Sequence, residues 1–485
     1  MLVYINEHII KYNQSHAIEF GGIIMENNNS LEAFNSMPVS KAVIKNAIPA
    51  MIAMLMVLIY NLADTFFIGQ THDAYQVAAV SLATPVFLMF MAVGTVFGIG
   101  GTSVISRALG EGRKEYAKKV CSFCMWSCVI VGIAMSLVFL IFMDQILSLI
   151  GASSDTWDFA RSYLIIVSLS GPFVLISNCY SNILRAEGQA NKAMMGQLIG
   201  NFLNIILDPI MILGFGWNIK GAAIATVIGN LAAAAYYILY FIRGKSSLSI
   251  NINDFSIKDK ICSGVLIIGI PASLASVMMS ISQIIMNGLM AGYGDMALAG
   301  IGVAMKVTMI TGMISMGIGQ GVQPLLGYCV GANTWDRFKK IMKFSLIFSF
   351  LLGLILTVLC YLFTNSIVSA FLTEPSAFDY SVQFSRILLT TSTFFGVFYV
   401  LTNALQAMGA AVSSLIINLS RQGLIYIPAL FILREALGIT GLAWSQPVAD
   451  ILSILIAIVL YLWVSKKMMK LEEDKEYKEY KINSN

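Results

Sequence analysis

From residue 42 to residue 465 the chain alternates long apolar runs with short polar breaks, and the runs repeatedly reach the ~20 residues that a helix needs to cross a bilayer. The pattern predicts about twelve spanning helices, at 42–67, 76–103, 120–143, 160–184, 193–215, 219–242, 263–291, 296–324, 342–363, 378–405, 411–433 and 439–464. Hydrophobic residues make up 58% of the chain and charged residues only 12%, which excludes a soluble monomeric globule. The expected fold class is an all-α membrane protein.

The polar breaks divide the chain. Residues 1–41 form a polar N-terminal tail without the basic flank, apolar core and cleavage site of a signal peptide, and Met25 is a candidate start within it. Residues 42–243 make a first six-helix bundle, 244–262 a cytoplasmic linker, 263–465 a second six-helix bundle and 466–485 a charged C-terminal tail. The two bundles repeat each other. Ile48-Pro49-Ala50 matches Ile270-Pro271-Ala272, Gly98-Ile99-Gly100 matches Gly317-Ile318-Gly319, and Asn182 to Gly188 matches Asn403 to Gly409. The common offset is roughly 220 residues, and an even number of spans per repeat makes the repeats parallel and pseudo-symmetric about the membrane normal.

Net charge is +4, but its placement says more than its sum. Lys and Arg crowd the breaks after the second, fourth, sixth and eighth spans, as in Arg107, Arg113, Lys114, Arg243, Arg337 and Lys339, whereas the opposite breaks carry Asp144, Asp155, Asp158, Asp295 and Glu374. Because basic loops stay inside, both termini are expected in the cytoplasm, with the chain multi-pass in a bacterial cytoplasmic (inner) membrane. Of the seven cysteines, Cys121, Cys124 and Cys128 share one side of a helix. No second Cys or His cluster completes a zinc site, so they read as small apolar packing residues.

Chemistry concentrates in the first bundle. Asp64 and Asp208 lie in apolar stretches, where a carboxylate is costly without a cation, a proton or a polar cavity. Asn201, Asn204 and Asp208, at i, i+3 and i+7, line one face of the fifth span. Pro209 removes a backbone donor next to Asp208 and predicts a broken helix, with a displaced carbonyl near Ile205 lining a cavity. At ~1.5 Å per residue, Asp64, Asn204, Asp208 and Thr226 all fall in the outer half of the bundle. Together they offer an oxygen cage that would hold Na⁺, with protonation as the alternative neutral state. The bland alternative leaves Asp208 as a local cap and Asp64 at the interface.

These residues resemble the multidrug and toxic compound extrusion (MATE) family in its DinF-like bacterial branch. The likeness runs from Ser36 to Ser465 and rests on Asn61-Leu62-Ala63-Asp64-Thr65, Arg185-Ala186-Glu187-Gly188-Gln189-Ala190 and Asn204-Ile205-Ile206-Leu207-Asp208-Pro209. It implies two six-helix bundles in a V, a cation site at Asp64, Asn204, Asp208 and Thr226, a bending point at Pro49, and export of drugs driven by H⁺ and/or Na⁺. The second bundle departs from its repeat, with Met286 and Ile427 where the two acids would recur.

That bundle has its own buried charges, Lys306, Arg421 and Asp450, read as an ion pair or a gating network, with Lys306 as an alternative partner of Asp450. Asn61, Asn201, Gln283 and Asn287 are candidate lining of the central cavity. Glu187 beside Arg185 reads as a salt bridge or cap. The expected partners are small amphipathic organic cations and membrane lipid, with no nucleic acid and no cofactor beyond the coupling ion, in a monomer. The competing function is a flippase for a lipid-linked precursor. An enzyme lacks any further catalytic signature around the acids, and no Gly-x-x-x-x-Gly-Lys motif supports a nucleotide-driven pump.

Overall fold

The computed structural model describes residues 32–483 apart from 33, 71–73, 245 and 373, with side chains up to Lys470 except those of Ala74 and Val77. Met25 and most of the N-terminal tail lie outside the described residues. The first lobe contains α1 (Val39–Gly69), α2 (Ala74–Gly110), α3 (Lys114–Ile141), the short α4 (Met143–Leu149), α5 (Trp157–Leu169), α6 (Gly171–Ala186), α7 (Ala190–Pro209) and α8 (Asn218–Ile242). The second contains α9 (Ile261–Ala291), α10 (Asp295–Gly331), α11 (Trp335–Leu362), the short α12 (Thr364–Ser369), α13 (Pro375–Ser392), α14 (Phe395–Ala407), α15 (Ala411–Leu419), α16 (Tyr426–Leu437) and α17 (Ile439–Asn483). Ten helical segments are long and apolar enough to cross a membrane, or twelve when each of two bent pairs counts as one span.

The internal repeat is visible in the irregularities. Each lobe places a short helix after its third span, and each breaks its fourth span sharply, by 56° between α5 and α6 and by 47° between α13 and α14. Ser170, Gly171 and Pro172 account for the first bend, since a serine–glycine pair loosens the helix and the proline cannot donate into the preceding turn. In the second, Thr390 turns its hydroxyl back onto the Ile387 carbonyl at 2.6 Å, a local bond that competes with the helical ladder.

The lobes meet along α1, α2, α9 and α10, with side chains excluded from the closest points. A Cβ on Gly100 would strike the Val265 carbonyl and one on Gly269 that of Val96; on α10, Gly317 and Gly321 press on Met51 and Ala47 of α1. Such backbone approach is how helices associate where no hydrophobic gradient separates them from lipid. All these contacts lie in the halves of the helices nearest the face where α1 begins and α2 ends, hereafter the terminal face. The closest backbone approaches of the two lobes thus lie toward the terminal face.

The ends are more ordered than the polar tails of the sequence suggest. Phe34 is fully buried, and Arg337 donates to the Phe34 and Met37 carbonyls, each at 2.8 Å. The charged C-terminal segment continues α17 as a helix to Asn483. The linker is strapped to the first lobe, where Ser122 donates to the Asn251 carbonyl at 2.6 Å and Trp126 to that of Ile250 at 3.2 Å.

Candidate cation site and the family of the chain

The site in the first lobe begins with a backbone contact. Gly200 of α7 and Gly229 of α8 approach so closely that a Cβ on either would meet the other's carbonyl. One turn from that crossing, Asn204 and Thr226 therefore face each other across a gap their side chains span. With the Asn204 amide turned to satisfy both its ends, its nitrogen donates to Asp208 Oδ2 at 2.9 Å. Its oxygen accepts from the Thr226 hydroxyl at 3.3 Å and the Thr226 N–H at 3.0 Å.

Asp208, Asn204 and Thr226 are all buried. Asp64 projects from α1, half-buried, and α1 packs against α7, the helix that carries Asp208. Each acid keeps a buried Oδ1 with no hydrogen-bond partner, as does the Asn201 amide nitrogen. Buried polar atoms are normally paired, and an unpaired buried carboxylate oxygen is stabilised by a proton or a positive charge.

Two phenols extend the site. Tyr60, one helical turn before Asp64, and Tyr163 of α5 both feel the charges of Asp64 and Asp208. Tyr60 was within reach of sequence reasoning, because i and i+4 share a helix face. Tyr163 had no local signal; it joins through the packing of α5 against the bundle.

The structure locates the other residues singled out in the sequence. The helix does not break at Ile205. It continues through Pro209 and then widens into a π turn over Ile210–Gly214, where Phe215 N–H reaches the Ile210 carbonyl at 2.8 Å. The fixed φ of proline fits a helix, while its missing N–H leaves the Ile205 carbonyl without its helical donor. Pro49 lies buried inside α1, which runs unbroken from Val39 to Gly69, so the sharp bends of this state are elsewhere. Asn201 lies on the pocket side of α7, whereas Asn61, Gln283 and Asn287 are exposed and make no hydrogen bond with the acid cluster.

In the second lobe Arg421 and Asp450 pair at 2.7 Å, while Lys306 stands apart with its ammonium 5.4 Å from the Phe371 ring centre. The pairing depends on a second π turn, Ser420–Leu424, which inserts a residue and swings Arg421 inward. Its guanidinium packs on the rings of Phe395 at 4.7 Å and Phe398 at 4.8 Å. Asp450 also accepts from Gln446 at 2.9 Å and Thr391 at 3.0 Å, so both its oxygens are engaged. Glu187 does not bind Arg185; it is the anchor of the linker, accepting the Ser246 hydroxyl at 2.8 Å and the Ser247 hydroxyl at 2.9 Å as well as the Ser247 N–H.

Two parallel six-span lobes that meet at one face, with buried acids in one of them, define the architecture of a membrane transporter. The MatE family model matches residues 49–210 and again 271–432, once in each lobe. The multidrug export protein MepA of Staphylococcus aureus strain MSSA476 is 34% identical over 427 residues, covering 88% of this chain and 94% of that protein. MepA of Staphylococcus haemolyticus strain JCSC1435 is 32% identical over 429 residues with the same coverage. The chain belongs to the MATE family.

Solved structures agree on the fold. A multidrug resistance MATE family transporter described as outward-facing superposes with a TM-score of 0.86 at 24% identity, over 92% of this chain and 99% of that one. A MOP superfamily transporter from Pyrococcus furiosus Vc1, whose description reports reversed polarity of its binding pocket, gives 0.84 at 24% identity, over 91% and 98% of the two chains.

Proposed function

We propose that this chain is a cation-coupled antiporter exporting small organic, amphipathic cations by alternating access, with H⁺ and/or Na⁺ bound at Asp64, Asn204, Asp208 and Thr226. The observation that carries this reading is the contrast between lobes: the first holds two neighbouring acids with unpaired buried oxygens, the second an acid whose oxygens are both engaged. A carboxylate pair that cannot ionise without a counter-charge binds H⁺, a hard cation such as Na⁺, or a cationic substrate, each at the expense of the others. Competition at one site is what antiport requires. The names of the staphylococcal relatives support multidrug substrates.

The lobes rock about the seam, which is closed toward the terminal face in this state. The bias of Lys and Arg toward that face supports a cytoplasmic setting for it and for both termini, in the inner membrane of a bacterium. The transporter works as a monomer, because each chain supplies both lobes. A flippase for a lipid-linked precursor is the weaker reading, since an anionic headgroup finds an acid pair in the pocket.

The test is efflux of a fluorescent organic cation from proteoliposomes under imposed Na⁺ or pH gradients. Wild type should respond to at least one gradient, and D64N and D208N should lose that response. Both variants matching wild type would remove the site, and drug affinity indifferent to Na⁺ and pH would remove the coupling.

A further inference from the structure

We propose that Arg185 is an electrostatic barrier in the closed seam, a fixed positive charge that keeps small cations from leaking through the transporter while it faces away from the terminal side. Arg185 occupies the last turn of α6 and is 1% exposed. Its polar partners are neutral amides. Nη1 donates to Asn182 Oδ1 at 3.1 Å and to Gln320 Oε1 at 2.9 Å, and Nη2 to Gln197 Oε1 at 3.4 Å. Its Nε is buried with no partner. Among the described residues no ion pair includes it, and the nearby Glu187 carboxylate is occupied by Ser246 and Ser247. Arg421, the comparable buried arginine of the other lobe, is neutralised by Asp450.

The charge sits where the lobes join. Gln320 belongs to α10, so the bond at 2.9 Å crosses the seam. It lies 11 residues before the end of α10, roughly 16 Å inside the terminal face at the helical rise, deeper than the contacts of Gly331 with Arg107 and Gly327 with Ser106.

The repeat shows that this clasp needs no charge. In the matched segments Asn182 to Gly188 and Asn403 to Gly409, the position of Arg185 is held by Gln406. There the crossing contact is made by the backbone, the Gln406 main-chain carbonyl accepting from Ser103 of α2 at 2.5 Å, while the Gln406 side chain stays in its own lobe with Gln323 and Ser414. One lobe thus crosses at this position without a charged side chain while the other holds an uncompensated cation there, although burying a charge unpaired is unfavourable. What the arginine adds to the clasp is repulsion of other cations, as a pore-lining arginine does in selective channels. A transporter whose acids attract cations on one side of the seam needs such a stop on the other.

The inference holds whichever ion is coupled, and its experiment uses no drug and no coupling. Full-length protein in proteoliposomes is given a K⁺-diffusion potential, and passive ²²Na⁺ and H⁺ entry are followed beside permeation of a neutral solute such as glycerol. R185Q installs the residue of the other repeat, which keeps a hydrogen-bonding clasp but removes the charge. It should raise cation entry roughly tenfold, the change for ~1.4 kcal/mol of barrier, with glycerol unchanged, while R185K stays tight. Q320E keeps Arg185 but places a carboxylate against it, so cation entry should rise there too; it decides the matter if R185Q does not fold. Cation entry at the wild-type level in either folded variant overturns the proposal. So does an equal rise for glycerol, which would show a mechanical gap. Loss of gradient-driven efflux in D64N and D208N is read separately, so the two ideas fail independently.

Discussion

Asn204 donates to Asp208 at 2.9 Å and accepts from Thr226 at 3.0 Å in the same orientation, so one amide side chain sets the position of the acid on α7 from the backbone of α8. Removing it should loosen the pocket without altering its charge. We expect N204A, and more mildly T226A, to raise the Na⁺ or H⁺ concentration for half-maximal efflux. A hydrogen bond to a charged group contributes ~1.5–3 kcal/mol, so a shift of about tenfold or more is expected for N204A. Unchanged cation dependence in N204A would show that the amide does not position the acid.

Asp450 is engaged on both oxygens, and Arg421 is its counter-charge. Removing one partner of a buried pair costs ~3–5 kcal/mol because the other charge is stranded, whereas apolar replacement of both is close to neutral. D450N should therefore lower the melting temperature in detergent, and an R421M/D450L double variant should recover most of the loss. If D450N instead melts like wild type but loses transport, the pair serves gating rather than stability. Full transport with wild-type expression excludes gating.

Gly100 leaves no room between α2 and the Val265 carbonyl of α9. A leucine there should wedge the lobes apart at the terminal face and shift the population toward the opposite state. Spin-label distances between the terminal-face ends of α3 and α11 should lengthen in G100L. An unchanged distance distribution would mean that the seam yields elsewhere.

Glu187 caps α6 at the membrane surface and holds the linker. Burial pushes its carboxyl up to about 7, against the opposing pull of the Ser246 and Ser247 donors. A carboxyl raised on folding binds more protons in the native state than in the unfolded one between its ordinary value and 7. Its contribution to stability is thus present at low pH and lost as pH rises through that window. The melting temperature of wild type relative to E187Q should fall between about pH 4.5 and 7 and level off above. A flat difference across that range would place the ionised form on equal terms in both states.

Much of the site was legible because its signals act within one helix. The spacing of Asn201, Asn204 and Asp208 puts them on a common face, and the cost of acids among apolar residues marks Asp64 and Asp208 as purposeful. The bend near residue 170, by contrast, does not follow from the span at 160–184 although Ser170-Gly171-Pro172 stands within it, because periodicity records which residues are apolar and not the direction of the axis. The anchoring of Phe34 and the grip of Glu187 on the linker escaped for a related reason. Short polar segments have no periodicity, and their structure is set by what they lie against.

The sequence by itself determined the spans, their duplication and the polar face of α7, since transfer of side chains into lipid and the helical repeat are local properties of the chain. Only the tertiary structure decided that Asn204 meets Thr226 where two glycines let α7 and α8 touch, and that Tyr163 joins the acids. It likewise decided that Asp450 belongs to Arg421 rather than Lys306, and that Arg185 meets amides and no ion-pair partner among the described residues. Which faces meet is fixed by backbone approach, π turns and the seam between lobes, and those depend on every helix at once.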